Sequence, residues 1–193
     1  KGKGGHGATP QGTVDAIVVA SNLITMLQTI VSRNTNPLDN TVLTIGKING
    51  GQNFNVIANE VRLTGTTRAY TENNRNMIKK RMQDIIDGVS KSFEAEIVLK
   101  YKDGYPPTIN HENPTELVLK ASSMVVGKGA GYPYLSMAGE DFSYYLKEIP
   151  GCFFLVGSAP DHNNILSTPH HCSHFDIDER SLLIGASVYV NLI

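Results

Sequence analysis

The chain has 193 residues, a formal net charge of −1 and 40% hydrophobic residues, which suits one large or two small globular domains. Its charges are scattered and no basic stripe is interleaved with aromatics, so neither nucleic acid nor an acidic membrane surface is an expected partner. The apolar runs are interrupted by polar residues, so no membrane span is expected, and the two cysteines, Cys152 and Cys172, are too few for a disulfide scaffold, which leaves a reducing, cytoplasmic setting as the expectation.

The chain opens on Lys1-Gly2-Lys3-Gly4-Gly5-His6, with no initiating Met and no capping chemistry, and is expected to be a piece of something longer. The glycines around His6 let the backbone approach another surface and leave the imidazole with little bulk beside it. No Gly-Lys-Ser/Thr and no strand-led Gly-x-Gly-x-x-Gly is present, which excludes a phosphate-cradling loop. Thr13 is a plausible N-cap for a helix running to about Arg33. Val14, Ile17, Val18, Ile24, Leu27 and Val31 follow one helical face and Val19, Leu23, Met26 and Ile30 a neighbouring one. An apolar arc that wide implies packing on more than one side, against a sheet and against a partner subunit.

Thr41 to Ile48 alternates as a strand, and residues 50–70 form a hairpin whose return strand runs from Glu60 to Tyr70. In that hairpin Asn55 sits near a bend and Arg68 on the far strand. An amide and a planar guanidinium together suit a carboxylate; the plainer reading is a turn former and a solvated strand residue. Thr71 is placed to cap an amphipathic helix carrying Ile78, Met82, Ile85, Ile86, Val89 and Phe93, and Ala95 to Asp103 alternates as strictly as any half-buried strand. With residues 1–6 as a first strand, the order is βαββαβ, a ferredoxin-like sheet with two helices on one face.

A turn-rich linker follows from Gly104, and Asn113-Pro114 signals a helix start that Leu117, Ala121, Met124 and Val125 carry to Gly127. Strands are expected at Tyr134 to Met137 and Cys152 to Val156, and a last helix from about Asp178 to Leu192. So little strand leaves these helices poorly covered. The expected division is 1–111 and 112–193.

Three histidines cluster in Pro169-His170-His171-Cys172-Ser173-His174, with Asp161, Asp176 and Asp178 as possible acceptors behind a metal-bound imidazole; an exposed loop gives the same pattern. Cys172 beside histidine also permits a thiol nucleophile, with no orienting partner evident. Glu140 and Asp141 are adjacent, so at most one reaches a given site, and both also fit an acidic helix start.

Five motifs in order resemble the M20 metallopeptidases, in particular the amidohydrolases of N-acyl amino acids that include hippurate and auxin-conjugate hydrolases. They are Gly2-Lys3-Gly4-Gly5-His6-Gly7-Ala8-x-Pro10; Asn55-Val56-Ile57 with Gly65-Thr66-x-Arg68; Gly104-Tyr105-Pro106-Pro107-x-x-Asn110; Gly139-Glu140-Asp141-Phe142-Ser143; and His171-x-x-x-Phe175-Asp176-x-Asp178-Glu179. The resemblance implies a βαββαβ lid and dimerisation domain followed by the C-terminal part of an α/β zinc-peptidase catalytic domain. It implies His171 as a ligand of a two-metal Zn or Mn site and His6 as an oxyanion-stabilising group offered to the partner subunit of a homodimer. Asn55 and Arg68 are implied as holders of the substrate carboxylate, and Glu140 as a substrate-side residue. The remaining metal ligands and the general-base glutamate belong to the family's N-terminal half, so the chain alone is expected to be inactive. Gln11 stands where the family usually has histidine, and Ala58 where it usually has proline. The rival expectation is a dimerisation or binding module without catalysis.

Overall fold

The computed structural model describes residues 1–160 and 171–193. Two compact units result, Lys1–Pro107 and Thr108–Ile193.

The first unit is built on a long antiparallel ribbon. Strand β2 (Thr41–Gly50) pairs with β4 (Val61–Ala69) from Thr41 opposite Ala69 to Gly50 opposite Val61, with a bulge between Ile45 and Lys47. The loop between them holds β3 (Val56–Ile57), which leaves the hairpin to pair antiparallel with β1 (Gly5–His6). Two helices cover the ribbon. Helix α1 (Ala16–Thr29) is capped by Asp15, whose carboxylate accepts from the N–H groups of Ile17 (2.9 Å) and Val18 (3.4 Å), so the cap lies two residues beyond the expected Thr13. It ends in one wide π turn, Ile30–Asn34. Helix α2 (Glu72–Phe93) is capped by Thr71, whose hydroxyl accepts from Asn74 N–H at 3.2 Å, and it closes on Glu94 in the left-handed region at φ 54°.

Val19, Leu23, Leu27 and Ile30 of the first helical stretch, Leu43 and Ala69 of the ribbon, and Ile78, Met82, Ile85, Ile86 and Val89 of α2 form one core. Burying each large aliphatic contributes roughly 1.5–3 kcal/mol, so this cluster is what holds the helices to the sheet. The burial of the first helical stretch cuts across the two expected apolar faces: Val19, Leu23 and Ile30 of one and Leu27 of the other are buried, while Met26 of the first and Ile17 and Val18 of the second are each more than 40% exposed. By length and composition alone Ala16–Asn34 is apolar enough to cross a membrane, which the residue-by-residue reading did not anticipate. Its buried face, packed on sheet and α2, accounts for that composition.

Residues 95–103 were expected to form a strand. They alternate in burial as a strand does, with Ile97, Leu99 and Tyr101 turned toward the core and Val98, Lys100 and Lys102 outward. Among the described residues, however, 97–103 form no backbone ladder, and a strand exists only where its N–H and C=O groups find a partner.

The second unit holds α3 (Glu112–Val126), α4 (Phe142–Glu148) and α5 (Arg180–Val190), with α3 beside α5. Helix α3 starts at Glu112, with Pro114 inside the first turn, and stops at Gly127, where φ is 91°. The strands expected at 134–137 and 152–156 are absent among the described residues. At 151–153 one backbone bond and two side chains stand in for a ladder: His111 N–H donates to Gly151 C=O at 3.0 Å and His111 Nδ1 accepts from Gly151 N–H at 3.2 Å, while the Asn110 amide donates to Phe153 C=O at 2.8 Å and accepts from Phe153 N–H at 2.7 Å. Val118, Ala121, Leu146 and Val188 are buried, whereas Leu117, Met124, Leu182, Leu183 and Val190 are exposed, so the helices are sparsely covered.

Candidate functional site

His6 stands on β1 opposite Val56, exposed, in a segment where backbones come unusually close. Gly7 N–H donates to Asn55 C=O at 2.9 Å, and a Cβ at Gly7 would sit only 3.0 Å from that oxygen. This close approach is the local reason for glycine after His6. His6 Nδ1 accepts from Ala8 N–H at 3.1 Å. An imidazole whose Nδ1 accepts carries its proton on Nε2, so the ring's remaining polar atom is an exposed donor.

The Gly7–Asn55 bond puts Asn55 beside His6 at the β1–β3 pair. The Asn55 side chain is exposed and makes no hydrogen bond among the described residues, which leaves its amide for a ligand. Arg68 lies on β4 opposite Val42, with its guanidinium outside the sheet. Its NH1 donates to Thr66 Oγ1 and, at 2.8 Å, to Thr67 C=O, so threonine two residues back on the same strand face orients the fork. Arg68 shares no hydrogen bond with His6 or Asn55. The backbone thus joins His6 to Asn55 and holds Arg68 separately. The orienting groups, Ala8 N–H and Thr66, were not picked out from the sequence, although the i, i+2 spacing of Thr66 and Arg68 signals a shared strand face.

In the second unit, Glu140 precedes α4 and its carbonyl accepts from Ser143 Oγ at 2.6 Å and Ser143 N–H at 3.3 Å. Ser143 is 1% exposed, so this turn is anchored from below and the half-buried Glu140 is held at the helix start. His171 is exposed and adopts a left-handed backbone, φ 67°. Asp161 and His170 lie outside the described residues. Asp176 accepts from Ile177 N–H at 2.9 Å, and Asp178 from Arg180 N–H at 2.9 Å and Nε at 2.7 Å, with a further Arg180 NH2 contact. The Arg180 side-chain bond holds the Asp178 carboxyl below its usual range. Among the described residues no three His, Cys, Asp or Glu side chains gather as a metal site, so these residues alone do not fit one.

Residues 1–94 match the M20_dimer family, a peptidase dimerisation domain. Over 187 residues the chain is 42% identical to N-acetyl-L-cysteine deacetylase of Bacillus subtilis, covering 95% of this chain and 42% of that protein. The chain belongs to the M20 peptidase family. A second M20 relative, N-acetyldiaminopimelate deacetylase of Bacillus cytotoxicus, is 42% identical over 157 residues, 81% of this chain and 42% of its own length. The crystal structure of a protein from methicillin-resistant Staphylococcus aureus, named as an aminohydrolase, superposes with a TM-score of 0.81 at 36% identity, over 100% of this chain and 49% of that one. The M20 chain described here thus spans less than half the length of each of these three proteins.

Proposed function

We propose that this chain is part of a metal-dependent hydrolase that cleaves the amide bond of N-acyl amino acids. In this reading residues 1–111 form its lid and dimerisation domain, and 112–193 close a catalytic domain completed by residues outside the chain. The observation that carries the proposal is the Ala8 N–H bond to His6 Nδ1, which leaves Nε2–H as an exposed donor on a backbone tied to Asn55. A fixed donor of that kind stabilises the oxyanion of a tetrahedral intermediate. Asn55 and Arg68 grip the substrate's free carboxylate, Arg68 through a fork already aimed by Thr66. Glu140 borders the substrate.

His171 contributes one ligand to a centre holding Zn or Mn, which supplies Lewis-acid chemistry when bound. Its other ligands come from beyond the described residues. Two relatives named for N-acetylated amino acids favour an acetyl over a benzoyl substrate. Ile17, Val18 and Met26, exposed on α1 within a dimerisation-domain match, favour a homodimer through this unit.

The test is hydrolysis of a panel of N-acetyl amino acids and N-benzoyl-glycine by the full-length protein with Zn²⁺ or Mn²⁺, beside the 193-residue chain. The full-length protein is expected to release amino acid and the chain alone to release none. A full-length protein that leaves the whole panel intact overturns the reaction, and turnover by the chain alone overturns the division of the site.

A further inference from the structure

The β2–β4 ribbon carries a cation that strand alternation alone would turn toward the helices. Leu43 lies in the core with Ile45 and Leu63 packed against it, whereas Thr44, Thr64, Thr66 and Arg68 are exposed on the opposite face. Regular alternation from Leu43 and Ile45 would bring Lys47 to the inner face, opposite Leu63. The bulge prevents this. Ile45 pairs with Gly65, but the next pair joins Lys47 to Thr64, so Gly46 is the extra residue and Lys47 emerges on the face of Arg68. Gly65 lets the strands close at that point, since a Cβ on it would lie 2.3 Å from Thr44 C=O.

The re-aimed lysine stands close to the oriented guanidinium. Lys47 is opposite Thr64 and Thr66 is opposite Thr44, which makes Lys47 and Thr66 diagonal neighbours, about 7–8 Å apart at the backbone. Arg68 NH1 is drawn back along its own strand onto Thr66 Oγ1, which carries the guanidinium toward Lys47. Neither strand contains an acidic residue, and Glu60 lies beyond the last pair of the ladder, Gly50 opposite Val61. Among the described residues Lys47 makes no hydrogen bond and no ion pair. Arg62, opposite Asn49 on the same face, adds to the positive potential. Two cations with threonine hydroxyls between them and no carboxylate on the face match a ligand bearing two negative charges.

We infer that Lys47 is a specificity-determining residue that receives a second negative charge of the substrate, which makes the substrate class N-acyl amino acids with an acidic side chain. This rests on the proposed function, in which Arg68 takes the carboxylate next to the scissile amide. The two contacts differ in kind. The planar fork of Arg68, already oriented by Thr66, fixes the first carboxylate, and the flexible stem of Lys47 brings a point charge to the second. A neutral side chain leaves the exposed ammonium in water and so forfeits a contact without stranding a buried charge. The result is a preference among N-acyl amino acids and not an absolute exclusion.

Steady-state kinetics of the full-length protein on N-acetyl-glutamate and N-acetyl-glutamine test it, because the two substrates share a shape and differ in charge. The glutamate substrate is expected to have a kcat/KM about tenfold higher, carried by KM, with the margin narrowing as salt is raised. Lys47→Met is expected to abolish the preference while leaving the constants for N-acetyl-glutamine unchanged; Lys47→Arg is expected to keep it and Lys47→Glu to reverse it. Equal kcat/KM for the two substrates in the parent protein, or a preference that survives Lys47→Met, overturns the role of Lys47 and leaves the reaction standing. A protein that hydrolyses no N-acyl amino acid overturns the reaction and this assignment with it.

Discussion

Asn110 brackets Phe153, its side-chain amide donating to the Phe153 carbonyl at 2.8 Å and accepting the Phe153 N–H at 2.7 Å. One side chain thus satisfies both backbone groups of a residue that has no strand neighbour. Asn110→Ala removes both bonds and is expected to destabilise the second unit by about 1–2 kcal/mol, since each net bond contributes about 0.5–1.5 and the site is exposed. Asn110→Asp keeps the acceptor but sets a carboxylate against the Phe153 carbonyl, and is expected to cost more than alanine. Urea unfolding followed in the second unit measures both; an aspartate variant as stable as the parent contradicts the bracketing role.

This pair also marks where the sequence was hard to read. The unbroken apolar run Cys152 to Val156 pointed to a buried strand, because such a run records which side chains seek burial and not where a backbone partner comes from. Residues 95–103 show the same limit: Ile97, Leu99 and Tyr101 face the core as expected, yet no ladder forms without a neighbour. Where partners are local in sequence, the reading held. Thr71 caps α2, and the 41–49 and 60–70 runs form the hairpin. Asp15 displaced Thr13 as the cap of α1 because its longer-reaching carboxylate accepts from two N–H groups at once. Of the site, His6, Asn55 and Arg68 were visible as residue types in motifs, but the groups that orient them are backbone N–H and a threonine hydroxyl, which carry no distinctive sequence signal.

Ile78 is 1% exposed at the centre of the core between α2 and the ribbon. Ile78→Ala is expected to cost about 2–5 kcal/mol, and Ile78→Val about 0.5–1.5, the difference measuring how little that core relaxes around a void. Thermal or denaturant unfolding of the first unit gives both values. An alanine variant no less stable than the valine variant contradicts the packing.

Arg180 bonds Asp178 through both backbone and side chain and holds its carboxyl below the usual range. A group with a depressed folded-state pKa contributes stability above its unfolded pKa, and that contribution disappears as pH falls through the folded value. The contribution of Asp178 is therefore intact at neutral pH and lost in acid, below the ordinary aspartate range. Carboxyl-carbon NMR titration is expected to find Asp178 titrating below the ordinary aspartate range, and Arg180→Ala to move it upward. An unmoved midpoint in that variant removes Arg180 as the cause.

His6 and Arg68 separate by which kinetic constant they change. If Nε2–H of His6 meets only the oxyanion, then His6→Ala in the full-length protein lowers kcat by about 10²–10³ with KM nearly constant, the signature of one lost oxyanion donor. If Arg68 binds the carboxylate in ground and transition state alike, as proposed, Arg68→Ala raises KM by about 10- to 100-fold through loss of a charge-assisted bond. Arg68→Lys keeps the charge but loses the fork that Thr66 orients, and is expected to recover only part of the binding. Gly7→Ala sets a Cβ 3.0 Å from the Asn55 carbonyl, pushing apart the backbone that carries both groups, so it is expected to change kcat and KM together. Steady-state kinetics on an N-acetyl amino acid distinguish the three patterns. A His6→Ala enzyme that changes only KM moves the imidazole from the reacting carbonyl to the binding of substrate.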